Sequence, residues 1–564
     1  MHATAKDVKQ PFFVTARYPL LLLVIWLGMA AAVNPVGEFP LNDDALYARV
    51  VQALVEEGVL IPSDWQAMTL VAQAVWGALF CLLTGFSFTA LRISTLVLGL
   101  VGVWAAYGML KEVGCSSRRA FAGALMLAVN PLYFVLSYTF MTDVPCLAIM
   151  LLTGLFLMRA LRCGSPGTLA FGTLFAIIAV LIRQTSLIIP LAFLPAYVLS
   201  RRLSLKSCLA ALVPAAGAVV SLKCYNVWLS MINQDPYAYV KGVQPVSIFM
   251  LFVLKSFGDS VERLVMRFGM SFTYAGLLLL PLAVPAALSV WRDMSRASRR
   301  FSLAGVLLVL ASFVGLLIRD GRLMPLSGNV LYNFGLGPQL LVDVYRFDMF
   351  RAPALPLWCW FVVTFMGVLG AGSLLLLLAA CAWRLAALLF ARAEETVRGW
   401  GLMLLTAVCG YVVYLMFAPY YFDRYILPLF ALLLPLLALR LYGPVPMRRA
   451  GVWATAAFLA LLGLFSTAAT HDYLEWNRAR WRAIRFLVDE VGADPCDVNG
   501  GIEYGGWQEG QGAGDGCSGD REHIVAFGSV PGHATLKSFA YRSYLRGGRG
   551  EIQALKKIPA GEGG

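Results

Sequence analysis

Apolar runs of near spanning length recur along this chain from residue 18 to residue 470, among them 18–33, 91–110, 120–136, 304–318 and 452–469. A bilayer core about 30 Å thick takes roughly 20 apolar residues of helix, and inside it every backbone N–H and C=O must find a partner within the protein. Repeated runs of this kind commit the chain to an all-α, polytopic membrane bundle. Its charged residues make up 14% of the total, against roughly 25% in soluble domains. After Thr470 the runs stop. Residues 471–564 are polar and Gly-rich, and read as a small soluble α/β domain behind a transmembrane domain of residues 1–470.

The formal net charge is +13, but its placement argues against nucleic acid as a partner. Lys and Arg gather in short loops between spans: Lys6, Lys9 and Arg17, then Lys111, Arg118 and Arg119, then Arg159 and Arg162, Arg201 and Lys206, Arg292 to Arg300, Arg384 to Arg398, and Arg440 to Arg449. That is a topology signal, placing these loops in the cytoplasm. Acidic residues, including Asp43, Asp44, Asp143, Asp343 and Asp423, gather on the opposite loops. Counting residues 65–83 as a span would invert this order, so that run reads as a re-entrant or interfacial helix. About 13 spans then remain, with the N-terminus cytoplasmic and the C-terminal domain outside. The first span has the apolar core and small-residue end of a secretory signal, yet reads as retained, because it mounts the acidic loop that follows.

That loop, residues 34–90, holds the segment FPLNDDALYARVVQALVEEGVL. Carboxylates near a bilayer are costly and mark function. Asp43 and Asp44 also open a helix, with Asn42 or Asp43 placed to cap it, Leu46, Val50 and Leu54 on one face, and Gly58 ending it. Capping and chemistry are compatible readings. Asp143 lies in SYTFMTDVP, where Thr142 or Asp143 caps the next helix with Pro145 in its first turn. Arg183 stands in LIRQTSLIIP on the outer side, against the positive-inside trend, and asks for an anion. Asp423, Arg424 and Tyr425 stand in YYFDRYILPL; adjacent residues on a helix do not face each other, which weakens a local ion pair. The loop 319–353, rich in Gly, Asn, Tyr and Arg, is too long for a connector and reads as the wall of a sugar or acceptor pocket, or as solvated loop. Lys241 and Lys255 are further candidates for phosphate contact.

Most of the 11 Cys sit in apolar helices as small hydrophobes. Cys496 and Cys517 fall in the Gly-rich outer domain, where a disulfide is as plausible as free thiols. The four His are scattered, which disfavours a dense structural zinc site.

In this order the motifs resemble the GT-C superfamily of polyprenyl-phosphate-sugar-dependent glycosyltransferases, of the protein mannosyltransferase and aminoarabinose transferase type. The matching elements are Asp43-Asp44 followed by Tyr47, the interfacial helix ending LFCLLTGFS, Arg92 opening the next span, SYTFMTDVP with Asp143, and DRYILPL with Arg424 and Tyr425, covering nearly all of residues 15–445. The resemblance implies a GT-C-type bundle and an inverting transfer from a polyprenyl-phosphate-linked sugar donor to an acceptor glycan, lipid or protein. The reaction would take place among membrane lipids at the outer face of the inner (plasma) membrane, with the C-terminal domain periplasmic. It casts Asp43 as the base that activates the acceptor, Asp44 as a supporting acid and Asp143 as the second outer-loop Asp. Tyr47, Arg183, Arg424 and Tyr425 become substrate-binding residues, the arginines toward phosphate. A divalent metal beside the carboxylates is compatible with this and not demanded; no other cofactor is implied. Where many members carry His-Pro-Pro or Pro-Pro-Leu, this chain reads IPSDWQAMTLVAQ, with Asp64 and Gln66 in the corresponding space. The competing class is a transporter or lipid flippase, for which an internal repeat and helices broken at midplane are expected; neither is visible. A nonenzymatic envelope scaffold, working through the C-terminal domain, is the third reading.

Overall fold

Helix α1 (Phe12–Val33) ends in a loop that turns at Asn34 and Asn42, both with positive φ, and enters α2 (Asp44–Glu56). The fold is taken from a computed structural model of the chain, whose described residues are 12–201, 204–234, 236–243, 257–332, 335–346, 355–390, 395–439, 449–508, 521–545 and 547–559. Lys255 and Cys517 lie outside them. α2 buries Asp44, Ala45, Tyr47, Ala48, Val50 and Val51; of the face expected from the spacing only Val50 is buried, and Leu46 and Leu54 are half-buried at its edge. Gly58, at φ 73°, takes the left-handed turn after it. Asp43 occupies the N-cap position, but its side chain makes no cap hydrogen bond. The capping role expected of it does not apply.

Helix α3 (Val71–Cys81) has 11 residues, about 16 Å of rise, too short to cross a bilayer. It is stitched to the end of α8 (Pro166–Val180): Leu70 N–H donates to Ile182 O at 3.1 Å, Ala72 N–H to Leu181 O at 3.1 Å, and the Thr69 hydroxyl to Val180 O at 2.7 Å. The expected interfacial element is therefore a short helix pinned by backbone pairing. Between them run α4 (Phe88–Glu112), α5 (Ser117–Ala128), α6 (Pro131–Leu136) and α7 (Asp143–Cys163). Residues 120–136, expected as one span, are two pieces. Asn130 accepts from the N–H groups of Leu132 and Tyr133 and restarts the helix at Pro131, which has no N–H to continue α5.

The bundle continues through α9 (Ile188–Ser200), α10 (Leu205–Met231), α11 (Tyr237–Val243), α12 (Phe257–Asp293) and α13 (Arg296–Arg319). After a hairpin of β1 (Leu331–Tyr332) and β2 (Gly335–Leu336) come α14 (Val342–Arg346), α15 (Leu357–Phe390), α16 (Glu395–Phe417) and α17 (Leu427–Ala438). α12 and α15 meet backbone to backbone: a Cβ on Gly276 would overlap Gly370 and Ala371. Close approach through small residues is how helices associate where lipid gives no hydrophobic drive. Among the described residues, nine helices are long and apolar enough to cross a membrane. The chain is thus a multi-pass membrane protein. The count of about 13 is not established, because further apolar helices, such as Pro166–Val180 and Gln184–Ser200, are shorter than a span.

Helix α18 (Arg449–Arg485) runs unbroken through Thr470 and delivers the chain to a four-stranded sheet. Its strands are β3 (Val498–Asn499), β4 (His523–Ala526), β5 (His533–Ser543) and β6 (Gly548–Lys557), in the order β3-β4-β6-β5, with β3 and β4 parallel and the rest antiparallel. A short helix, α19 (Ile502–Gln508), follows β3. Cys496 is disulfide-bonded. The loop after α13 is tied to this sheet, because Asp343 Oδ2 accepts from Phe527 N–H at 2.7 Å.

Candidate functional site

The first loop is anchored before it reaches the acidic pair. Arg92, buried on α4, donates to the carbonyls of Pro35 (2.6 Å), Gly37 (3.1 Å), Phe39 (3.1 Å) and Tyr138 (2.8 Å). Glu38 returns the contact, accepting from Ser87 Oγ and Phe88 N–H, both at 2.8 Å, at the start of α4. A carboxylate over a helix N-terminus meets free N–H groups and the positive end of the dipole.

Held this way, Asp43 and Asp44 point apart. Asp44 is buried, and its two oxygens accept from Leu41 N–H at 2.5 Å and Phe140 N–H at 3.2 Å. Burial pushes its carboxyl up to about 8, although Arg92 and the two N–H groups work the other way. Asp43 has a side chain 45% exposed, and Oδ2 sits 3.4 Å from Arg424 Nη2. Residues about 100° apart on a helix face different neighbours.

Arg424 is the hub. Its guanidinium is buried, donates to Asn329 Oδ1 at 3.0 Å, meets Asp43, and places Nε 3.9 Å from Asp143 Oδ2. It is delivered by a 3₁₀ turn, Asp423–Ile426, that opens α17. Asp423 does not pair locally with Arg424's head; its carboxylate accepts from the N–H groups of Val330, Leu331 and Arg424, fixing the turn and the 319–353 loop together. Asp143, at the first turn of α7, accepts from Arg183 Nη1 at 3.1 Å, while its Oδ2 has no hydrogen-bond partner. Thr142, the N-cap residue there, makes no cap bond. Arg183 lies 5.0 Å and Arg424 5.8 Å from the centroid of the Tyr425 ring, so one aromatic ring serves two cations. Tyr47 is buried on α2 within the field of Asp43, Arg424, Arg183 and Asp143; burial, with Asp43 next, pushes its phenol up and keeps it a proton donor.

The structure therefore brings together Asp43, Asp143, Arg183, Arg424, Tyr425 and Tyr47, and turns Asp44 inward beside them. Of the departing motif, Gln66 is buried and donates to Met68 O and Thr69 O, while Asp64 is exposed. Two partners carried no sequence signal. Asn329, in the long loop, bridges Arg424 and, at 3.5 Å, Asn42 Nδ2. Glu503, in the C-terminal domain, accepts from Asn42 N–H at 3.2 Å and pairs with Arg480 at 2.8 Å, both side chains fully buried. Nothing in NGGIEYGGW distinguishes this Glu from a solvated one. Among the described residues, no third His, Cys or acid joins Asp43 and Asp143 as a metal-holding group; the one set of three is Asp497, Glu522 and His523.

The site thus holds a half-exposed carboxylate beside one buried guanidinium, Arg424, one partly buried guanidinium, Arg183, and an aromatic ring, which suits an acceptor hydroxyl and an anionic leaving group. Residues 72–229 match the family described as dolichyl-phosphate-mannose-protein mannosyltransferase. No curated protein gives a significant match. Similar solved structures include ArnT from Cupriavidus metallidurans bound to undecaprenyl phosphate (13% identity, 96% of this chain and 98% of that chain, TM-score 0.39). The same protein in the apo state matches at 14% identity over 86% of this chain and 81% of that one, with a TM-score of 0.35. The archaeal oligosaccharyltransferase AglB from Archaeoglobus fulgidus, in complex with an inhibitory peptide and a dolichol-phosphate, matches at 12% identity. There 84% of this chain covers 58% of that one, with a TM-score of 0.39. The family match bears out the resemblance to GT-C glycosyltransferases and supports a glycosyltransferase.

Proposed function

We propose that this chain is an inverting glycosyltransferase that moves a sugar from a polyprenyl-phosphate donor to an acceptor hydroxyl at the outer face of the inner membrane, with the N-terminus cytoplasmic and the C-terminal domain periplasmic. The observation that carries the reading is the unequal pair: Asp44 has both oxygens taken by backbone N–H groups, whereas Asp43 is half-exposed with one guanidinium beside it. Asp43 takes the acceptor proton as the acceptor oxygen forms its bond to the anomeric carbon. The bond from that carbon to the phosphate oxygen breaks on the opposite face, and its electron pair leaves on the phosphate. Phosphate is already a good leaving group, so positioning and charge stabilisation are the main demands. Arg424 and Arg183 supply the charge, Asp143 aligns both, and Tyr47 and Tyr425 shape the donor's seat. The name of the matching family supports a polyprenyl-phosphate donor.

The test is sugar transfer in membranes from a panel of labelled polyprenyl-phosphate sugars with a full acceptor extract. Asp43→Asn is expected to lower transfer by about a hundredfold or more, the range for a general base. Loss in Asp44→Asn with retention in Asp43→Asn would reverse the assignment. No transfer by the wild type with any donor would shift the reading to a transporter of a polyprenyl-linked substrate.

A further inference from the structure

A second cluster of ionisable groups lies in the C-terminal sheet, apart from the arginine-linked carboxylates. Asp497 precedes β3, Glu522 precedes β4 and His523 opens it, and β4 pairs in parallel with β3 so that His523 stands opposite Val498. One ligand atom from each of Asp497, Glu522 and His523 lies within 4.8 Å of the others. His523 Nδ1 is 3.8 Å from Asp497 Oδ2, beyond hydrogen-bond reach. His523 is only 5% exposed, and among the described residues neither of its ring nitrogens has a hydrogen-bond partner. Buried polar side chains are nearly always satisfied, so an imidazole with both nitrogens idle, facing two carboxylates, needs an explanation.

We propose that Asp497, Glu522 and His523 form a site for a divalent transition metal of the zinc class, clipping β4 to the turn that enters β3. One imidazole nitrogen and two carboxylate oxygens, with water as the fourth ligand, make a donor set that zinc accepts. The imidazole disfavours calcium and magnesium, which take oxygen. The two carboxylate side chains are 40% and 48% exposed, leaving the ion a way in. Glu522 now faces Lys556 Nζ at 3.2 Å, an exposed ion pair that a dication outcompetes. The disulfide-bonded Cys496 adjoins Asp497, so the metal would be a second crosslink at the same corner. Its role is structural: it fixes β3, and through the Gly500–Gly501 turn the start of α19, which carries Glu503.

The test uses full-length protein in detergent, stripped with EDTA and dialysed against Zn²⁺, with metal content per chain and the apparent Tm as readouts. One zinc equivalent is expected that His523→Gln abolishes and that Asp497→Asn or Glu522→Gln weakens at least tenfold, with a zinc-dependent rise in Tm lost in parallel. Equal zinc content and equal Tm shifts in the wild type and all three variants would overturn the site, as would Ca²⁺ binding as tightly as Zn²⁺. If His523→Gln does not fold, the two solvent-facing carboxylate variants carry the test. Zinc bound elsewhere survives all three substitutions, and the outcome leaves the transfer reading untouched.

Discussion

Asp43 and Asp44 are the same side chain one position apart, and their surroundings give them opposite properties. Burial holds the Asp44 carboxyl at about 8, whereas in the unfolded chain it returns to roughly 4. Between those values the folded protein keeps a proton that the unfolded chain has released, so this group makes stability fall as pH rises through the window. The apparent Tm advantage of wild type over Asp44→Asn is therefore expected to be larger at pH 5 than at pH 8.5, measured by intrinsic fluorescence in detergent. A constant gap would show that Asp44 titrates normally. The sequence displayed the acidic pair plainly; which member faces the site it could not display, because the deciding partners, Phe140 N–H and the Arg424 guanidinium, lie 96 and 381 residues away. Asn329 and Glu503 escaped for the same reason.

At the level of elements, the long helices were legible because a bilayer enforces uninterrupted apolar length. The interfacial α3 was legible from the charge of its neighbours, since counting it as a span misplaces every later loop. Two boundaries were not. Asn130-Pro131 divides a run that is apolar on both sides, so one polar residue and one proline vanish into its mean hydropathy, although Asn130 caps the new helix and Pro131 withholds the donor that would continue α5. α18 outlasts its apolar stretch because hydropathy ends where lipid ends, while the helix finds a new surface in the sheet, with Arg482 donating to Ala540 O. Between elements, contact at Gly276 leaves no room for a side chain. Gly276→Val is expected to destabilise the α12–α15 pair by about 1–3 kcal/mol, seen as a lower apparent Tm. Gly28→Val on α1, where no atom lies within 4 Å of the added Cβ, is the neutral control.

For the whole molecule, the C-terminal domain is built into the first loop. Glu503 reaches Asn42 while paired to Arg480, the Trp507 carbonyl accepts from Arg49, and Trp507 stacks on Phe86 with ring centroids 6.0 Å apart. Removing Glu503 would strand a buried guanidinium, typically a loss of about 3–5 kcal/mol. Glu503→Ala is thus expected to lower the apparent Tm and to reduce kcat for transfer with little change in donor KM, because Asn42 and Asp43 lose their backrest while the arginines stay. Glu503→Gln, which keeps the bond to Asn42, should recover part of kcat. A rise in donor KM with kcat unchanged would contradict the link.

The unbroken α18 makes the protein behave like a lock with a keyed shaft. Each residue of helix fixes about 100° of rotation and 1.5 Å of height. The sheet domain therefore meets the acidic loop at an angle set by how many residues separate it from the last membrane-buried turn. A single residue inserted near Thr470 would swing Glu503 out of alignment with Asn42, and seven, nearly two full turns, would restore the angle but lift the domain by about 10 Å. The spacing between the membrane part and the soluble part is thus a coding constraint in its own right, independent of which amino acids fill it.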